Sequence, residues 1–245
     1  MASIPLMYAQ EDCELGGKES IEDDFAYRNN VLNADKQIRL GFIRKVYGLL
    51  TVQLLATVAT AALMLAKPIQ AFVHQNDWMI ILAFVLSMVT LFALIAKRKD
   101  SPANLFLLAA FTVTQAYTIG VVVSYYNTVV VLQAFTITFA VVLSLTLYTL
   151  NTKRDFSFVG YGLIAGLAVL IVGGFLQIFL QSSLFEVALS FTGTILFSLF
   201  LIFDTQQMMV HLSPEEYILA TVNLYMDILN LFLYILRILN ELNRN

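Results

Sequence analysis

Seven apolar stretches, each about as long as a membrane-spanning helix, dominate this chain of 245 residues. A helix needs about 20 mainly apolar residues to cross the hydrocarbon core of a bilayer. Short polar connections separate the stretches, so consecutive helices must lie antiparallel, and little chain remains for a domain outside the membrane. The predicted spans are 46–66, 78–96, 103–125, 129–150, 158–180, 184–203 and 217–238. We therefore predict an all-α polytopic membrane protein that forms a bundle of seven transmembrane helices.

The composition excludes several classes of protein. Hydrophobic residues make up 59% of the chain and charged residues 13%, whereas a soluble domain carries about 25% charged residues. So few charges cannot cover the surface of a water-soluble globule. The composition therefore excludes a soluble enzyme, a nucleic-acid-binding protein and a disordered protein. We expect the lipid bilayer as a partner and no nucleic acid.

The chain divides into an acidic tail, residues 1–35, and a transmembrane domain, residues 36–245. The tail carries eight acidic and two basic residues, and we expect it to be disordered. Eleven of the 14 basic residues fall on the side of the tail, whereas the three connections on the opposite side contain only Lys67. Since basic residues stay in the cytosol, we expect a cytosolic N-terminus. Seven full spans put Arg237 and Arg244 on the other side, but a re-entrant last segment would return them, so the side of the C-terminus stays open.

Two aspartates lie in the last two spans, where a charge costs at least about 2.5–3.5 kcal/mol at the membrane centre. Asp204 is expected to end the sixth span, and Asp227 lies in the middle of the seventh. The turn at 213–216 falls midway between them, so two antiparallel helices bring both carboxyls to the same depth. Two adjacent carboxyls in a low dielectric cannot both ionise cheaply, and we expect them to share a proton. The pair can serve as a proton sensor or, when both groups are ionised, as a site for Ca²⁺.

Other polar residues extend this interpretation. Asn223, Asp227, Asn230 and Tyr234 form one polar stripe on an otherwise apolar seventh helix, which indicates an inward face. The alternatives are structural: Asp204 could cap a helix end, and Asp227 could hydrogen-bond to a neighbouring helix.

Three further charged residues lie near the membrane surface. Arg98 lies at the predicted cytosolic mouth and could reach a carboxylate or act as an ordinary positive anchor. Glu186 opens the sixth span and Glu215 lies in the last turn, where each could attract cations or be a solvated loop charge.

Several short motifs resemble those of one family. The stretches FDTQQM at 203–208, LSPEEY at 212–217 and NLYMDILNLF at 223–232 resemble the C-terminal signature of the Bax-inhibitor family, the transmembrane BAX inhibitor motif or lifeguard proteins. The stretches SIEDDF at 20–25 and RKVYGLL at 44–50 resemble the Golgi anti-apoptotic branch of that family.

This resemblance implies a bundle in which six helices surround the seventh. It implies a passive, pH-sensitive calcium leak in Golgi or endoplasmic-reticulum membranes that lowers store calcium and inhibits apoptosis. By the same resemblance, Asp204 and Asp227 match a di-aspartyl pH sensor, and Arg98 matches an arginine that latches onto the sixth-helix aspartate. Glu186 and Glu215 match acids associated with conduction. No enzymatic activity or resident cofactor is implied, Ca²⁺ being the permeant ion.

Two other functions stay open at this point. One is a membrane scaffold that binds apoptosis-regulating membrane proteins without conducting ions, and the chain could act as a monomer or a homo-oligomer. The other is an intramembrane aspartyl protease, which also uses two aspartates on adjacent helices. The usual Gly-X-Gly-Asp motif of such proteases is absent, because Leu224, Tyr225 and Met226 precede Asp227.

Overall fold

The computed structural model describes residues 36–76, 78–152 and 154–244, and the tail with its expected disorder lies outside them. Within these ranges the regular secondary structure is helical, with short 3₁₀ turns at Ser157–Val159 and Pro214–Glu216. The α-helices are α1 Lys36–Met64, α2 Lys67–Gln75, α3 Trp78–Ala96, α4 Ala103–Ser124, α5 Thr128–Asn151, α6 Gly160–Leu180, α7 Ser183–Val210 and α8 Tyr217–Arg244.

All of these helices except α2 are long and apolar enough to cross a membrane, which gives seven candidate spans. Their outer faces carry large apolar side chains, including Phe92, Phe106, Ile171 and Phe179, each more than 60% exposed. Lipid tails solvate such faces, whereas the backbone polar groups are satisfied within each helix. The prediction of an all-α polytopic membrane protein with seven spans is confirmed.

The last helix, α8, lies at the centre of the bundle. Within its apolar window 67% of the residues are buried, against at most 44% in any other span. It packs against α1, α4, α5 and α7. The helix runs unbroken for 28 residues, about 42 Å at 1.5 Å per residue, which exceeds the thickness of a hydrocarbon core. A re-entrant last segment is therefore not what this sequence forms.

The sixth span is longer than its apolar run predicted. Helix α7 continues to Val210, so Asp204 lies inside the helix, and the expectation that it ends the helix is wrong. The polar extension is supported by Gln206, whose side chain accepts a 2.7 Å hydrogen bond from the Phe156 amide and donates one of 2.7 Å to the Arg154 carbonyl. These bonds attach the end of α7 to the connection between α5 and α6.

The connection between the first two spans also contains a helix. Pro68 lies in the first turn of α2, a position where its missing N–H costs no hydrogen bond. On α2, the Gln70 amide donates a 2.6 Å hydrogen bond to the Ser124 carbonyl, and the ring of His74 stacks on Tyr125 with centroids 4.1 Å apart. The helix thus covers the end of α4.

The two ends of the bundle differ in charge. At one end, called the basic end below, the Lys45 ammonium lies 3.3 Å from the ring centroid of Tyr217, and Arg98 forms an ion pair with Glu216. At the opposite end, called the far end, Met64 of α1 packs on Gly120 of α4, and α8 terminates. The start of α1 and the end of α8 therefore lie at opposite ends.

This arrangement predicts that tags on the two termini are digested from opposite sides of a membrane. In sealed vesicles, protease added to the cytosolic side should remove an N-terminal tag, because we expect the basic end to face the cytosol, and leave a C-terminal tag intact. Detergent should then expose the second tag as a control. Digestion of both tags from one side of intact vesicles contradicts seven full crossings.

Candidate functional site

The turn between α7 and α8 sets the pairing of the two helices. The Ser213 hydroxyl accepts a 3.4 Å hydrogen bond from the amide of Glu215, and the Ser213 carbonyl accepts one of 2.9 Å from the amide of Glu216. This tight cap reverses the chain within a few residues. Asp204 lies six residues before the end of α7, and Asp227 lies ten residues after the start of α8. Both are therefore inside helices and not in the turn.

The carboxyl groups of Asp204 and Asp227 contact each other across the α7–α8 interface, within hydrogen-bonding distance. Asn223, one turn before Asp227 on α8, lies beside Asp204. Asp227 is 5% exposed, and its Oδ2 atom has no hydrogen-bond partner among the described residues. Two carboxyls in contact can hold one proton between them, and they repel each other when both are ionised. The pair can therefore respond to protons or cations.

The rest of the polar stripe on α8 contributes differently. The Asn230 amide donates a 2.9 Å hydrogen bond to the Met226 carbonyl of its own helix, so its donor is engaged away from the carboxyl pair. The Tyr234 ring stacks on Phe197 of α7, with centroids 5.7 Å apart. It lies directly over Gly193, where an added Cβ would come within 2.6 Å of the ring. The polar stripe of α8 therefore faces α7. Toward the far end, at Tyr234, its contact with α7 is one of packing.

The sequence reasoning missed the hydrogen bonds that join α8 to α1 and α4. The hydroxyls of Tyr225 and Thr57 lie 2.8 Å apart, which joins α8 to α1. The Asn104 amide of α4 donates a 3.0 Å hydrogen bond to the Tyr217 hydroxyl. Gln115 of α4 donates to the Met226 sulfur at 3.4 Å. Polar residues in otherwise apolar spans were the available signal, but the sequence does not reveal which of them meet.

Arg98 pairs with a different acid from the one that the family resemblance implied. Among the residues that the structure describes, its ion partner is Glu216, with Nη2 3.0 Å from Oε1, rather than Asp204. The physical reason is depth: Glu216 lies at the end of the bundle beside Arg98, whereas Asp204 lies about 9 Å further in, six residues from the end of α7. The latch between Arg98 and Asp204 is therefore absent from this conformation.

The two candidate mouth acids occupy opposite ends of the bundle. Glu215 is exposed in the turn at the basic end. Glu186 lies in the first turn of α7 at the far end, where it accepts a 3.5 Å hydrogen bond from the Gln177 amide. Burial raises the pKa of nearby Tyr126, the Arg237 cation opposes that rise, and the Glu186 charge adds to it. Both acids thus lie at bundle ends, well away from the carboxyl pair.

The structure offers few ligands for a tightly bound metal. In the described ranges, no group of three or more His, Cys, Asp or Glu side chains could hold a metal ion. Asp204, Asp227 and the oxygen of Asn223 give fewer than the six to eight oxygens that Ca²⁺ takes. A cation at this pair would keep much of its water, as a passing ion does.

Comparison with known proteins identifies the family. The family model described as "Inhibitor of apoptosis-promoting Bax1" matches residues 39–245, which include the carboxyl pair and Arg98. The chain belongs to the Bax inhibitor family.

Three relatives from different organisms illustrate how widely this family extends. The chain is 45% identical to "Protein lifeguard 4" of Mus musculus over 93% of this chain and 96% of the relative. It is 44% identical to "Golgi anti-apoptotic protein" of Vaccinia virus (strain Lister) over 94% and 98%, and 34% identical to "Bax inhibitor 1" of Schizosaccharomyces pombe over 100% and 92%. The match extends over nearly all of each protein, so this member of the Bax inhibitor family shares the whole membrane domain.

The close packing at Gly193 predicts a specific loss of stability. Gly193→Ala should lower the free energy of unfolding by about 1–3 kcal/mol, because its Cβ would overlap the Tyr234 ring. The measurement is thermal unfolding of the purified protein in detergent. The matched control is Gly162→Ala on α6, where no atom lies within 4 Å of the added Cβ and alanine favours the helix. Equal unfolding temperatures for the two variants would contradict the packing.

Proposed function

We propose that this chain is a pH-sensitive calcium leak channel of intracellular membranes, which lowers store calcium and inhibits apoptosis. In this proposal Asp204 and Asp227 form the proton sensor on the ion path. The relatives' printed names, which include "Golgi anti-apoptotic protein" and "Bax inhibitor 1", support the anti-apoptotic part. The calcium leak and the pH response rest on the carboxyl pair.

The observation that carries the proposal is the contact of two carboxyl groups inside a membrane bundle. A single buried aspartate can be explained as a hydrogen-bonding partner between helices. Two that contact each other do more than join helices, because each makes the ionised form of the other more costly, so their contact depends on a shared proton or a bound cation. A proton removes this repulsion at low pH, and a divalent cation can remove it when both groups are ionised. The same pair can therefore couple proton concentration to calcium passage.

The small number of oxygen ligands at the carboxyl pair suits the passage of Ca²⁺ better than its tight binding. Two carboxyls and the side chain of Asn223 leave most of the coordination of Ca²⁺ to water. A conducting site must bind an ion strongly enough to admit it and weakly enough to release it. Glu186 at the far end and Glu215 at the basic end would raise the local concentration of cations at the two mouths.

The location and partners follow from the same proposal. We place the protein in Golgi or endoplasmic-reticulum membranes with its N-terminus in the cytosol, on the basis of the basic end and of the Golgi anti-apoptotic relative. Apoptosis-regulating membrane proteins are proposed as partners. The carboxyl pair is assigned proton and cation binding rather than an enzymatic reaction.

The proposal predicts that Asp204→Asn and Asp227→Asn each flatten the pH dependence of calcium flux, because an amide cannot titrate. The assay is calcium release from liposomes with purified protein between pH 5.5 and 8. Near its midpoint one titrating site changes the ratio of its protonated and ionised forms about tenfold per pH unit. The calcium release of the Asn variants should vary less than about twofold over the same range.

The matched control is Asp155→Asn in the α5–α6 connection. Hydrogen bonds from the Ser157 hydroxyl at 2.6 Å and amide at 2.8 Å lower the pKa of Asp155. A group with a depressed pKa stays ionised throughout this pH range, so the control should keep the wild-type profile. An unchanged profile in both dyad variants removes the sensor role. Absence of flux in the wild type favours a scaffold that binds apoptosis regulators.

A further inference from the structure

The start of the central helix is attached to the α3–α4 connection by an ion pair between Arg98 and Glu216, an acid of the LSPEEY stretch to which the resemblance assigned no role. Glu216 is the last residue before α8, and its Oε1 lies 3.0 Å from Nη2 of Arg98. Its side chain is 15% exposed and that of Arg98 is 35% exposed. Its neighbour Glu215 is exposed and makes no such pair among the described residues. Two consecutive acids in one turn thus have different surroundings.

Further contacts surround this ion pair. The Asn104 side chain, which is 1% exposed, donates 3.0 Å hydrogen bonds to the Arg98 carbonyl and to the Tyr217 hydroxyl. The Lys45 ammonium lies over the Tyr217 ring at 3.3 Å. Contacts from α1, the α3–α4 connection and α4 therefore converge on two consecutive residues, Glu216 and Tyr217. We call the five residues that make these contacts the clasp: Lys45, Arg98, Asn104, Glu216 and Tyr217.

We propose that the clasp fixes the start of α8 through its Arg98–Glu216 ion pair, and that Glu216 is a positioning residue for the carboxyl pair. The inference rests on the proposed function, because it assigns a regulatory role at the same site. Asp227 lies ten residues into α8, about 15 Å from the clasp along the helix. A helix is stiff over this length, so the rotation and depth of its first turn set where Asp227 meets Asp204.

The charges at this end explain why Glu216 takes this role. Lys97 and Lys99 are exposed on either side of Arg98, and they can anchor the connection without touching α8. The guanidinium of Arg98 offers several donors in a fixed fork, which suits a carboxylate. When either partner of the pair is removed, the other loses its charge partner in a half-buried place. The first turn of α8 is then held by the Asn104 hydrogen bond and the Lys45 cation–π contact to Tyr217.

The test is a double-mutant cycle on the full-length protein. Arg98→Gln, Glu216→Gln and the double variant are compared with the wild type for unfolding temperature in detergent and for basal calcium leak in liposomes. A partly exposed pair is worth about a two- to fivefold change in an equilibrium, so each single variant should raise the leak about two- to fivefold. The double variant should leak no more than either single variant. The charge-exchanged variant Arg98→Glu with Glu216→Arg should recover most of the wild-type values.

Three controls match the charge changes without touching the pair. Glu215→Gln removes an acid from the same turn, and Lys97→Ala and Lys99→Ala each remove a base from the same connection. All three should keep the wild-type unfolding temperature, and the two lysine variants should also keep the wild-type leak. Glu215→Gln removes a proposed mouth acid, so it should not raise the leak as Glu216→Gln does. Protein amount and orientation in the liposomes are equalised, because loss of a base can also disturb insertion.

The two readouts separate failure of the clasp from failure of the proposed function. One possible result is that the changes in unfolding temperature are non-additive while no protein, wild type included, leaks calcium. This result supports the attachment of α8 by the clasp and overturns the calcium channel. Additive changes in both readouts with a measurable wild-type leak overturn the clasp alone. Coupling in stability with an unchanged leak overturns the positioning role of Glu216. Equal leaks from the Glu215 and Glu216 variants also overturn it.

Discussion

The burial of two touching carboxyl groups inside a membrane domain is the constraint that the rest of the structure satisfies. Lipid cannot solvate Asp204 or Asp227, so protein must surround both, and the helix that carries the more buried one must be the central helix. This is why α8, the least hydrophobic of the seven spans, is also the most enclosed. The other six spans turn apolar side chains to the lipid. The order of helices from outside to inside thus follows from which of them carries the costliest group.

A central helix must satisfy its other polar side chains as well. On α8 the hydroxyls of Tyr217 and Tyr225 find partners on α4 and α1. Hydrogen bonds between membrane helices contribute only about 0.6 kcal/mol each on average, but they also fix rotation. Together with the contact between Asp227 and Asp204, they fix which face of α8 is turned toward α7. The hydroxyls are therefore as much a part of the site's geometry as Asn223 is.

The sequence was sufficient for the parts of this fold that depend on lipid. Apolar runs predict the spans, and the turn midway between Asp204 and Asp227 predicts that they meet. It was insufficient where helices leave the lipid, since hydropathy reports where a helix contacts lipid and not where its hydrogen bonds stop. For this reason α7 runs seven residues beyond its predicted end at 203, and α2 occupies a connection for which no helix was predicted. The partner of Arg98 was also beyond reach, because Asp204, Glu215 and Glu216 all lie toward the same end, and only packing chooses between them.

The contacts of α7 differ in kind from those of α8, and this difference bears on how the pair can act. Helix α7 packs on α6 where Leu196 and Leu189 lie against Gly166 and Gly173, and on α8 through Gly193. Contacts through glycine are close and apolar, so a small shift along them breaks few hydrogen bonds. Helix α8 is instead held by directional polar contacts to α1 and α4 and by the ion pair at its start. Helix α7 has directional contacts as well, but they join it to the α5–α6 connection through Gln206 and to α6 through Glu186. In the proposed sensor, a change in the charge of the carboxyl pair therefore acts between two helices that are held by different neighbours, α7 by α6 and the α5–α6 connection, and α8 by α1 and α4.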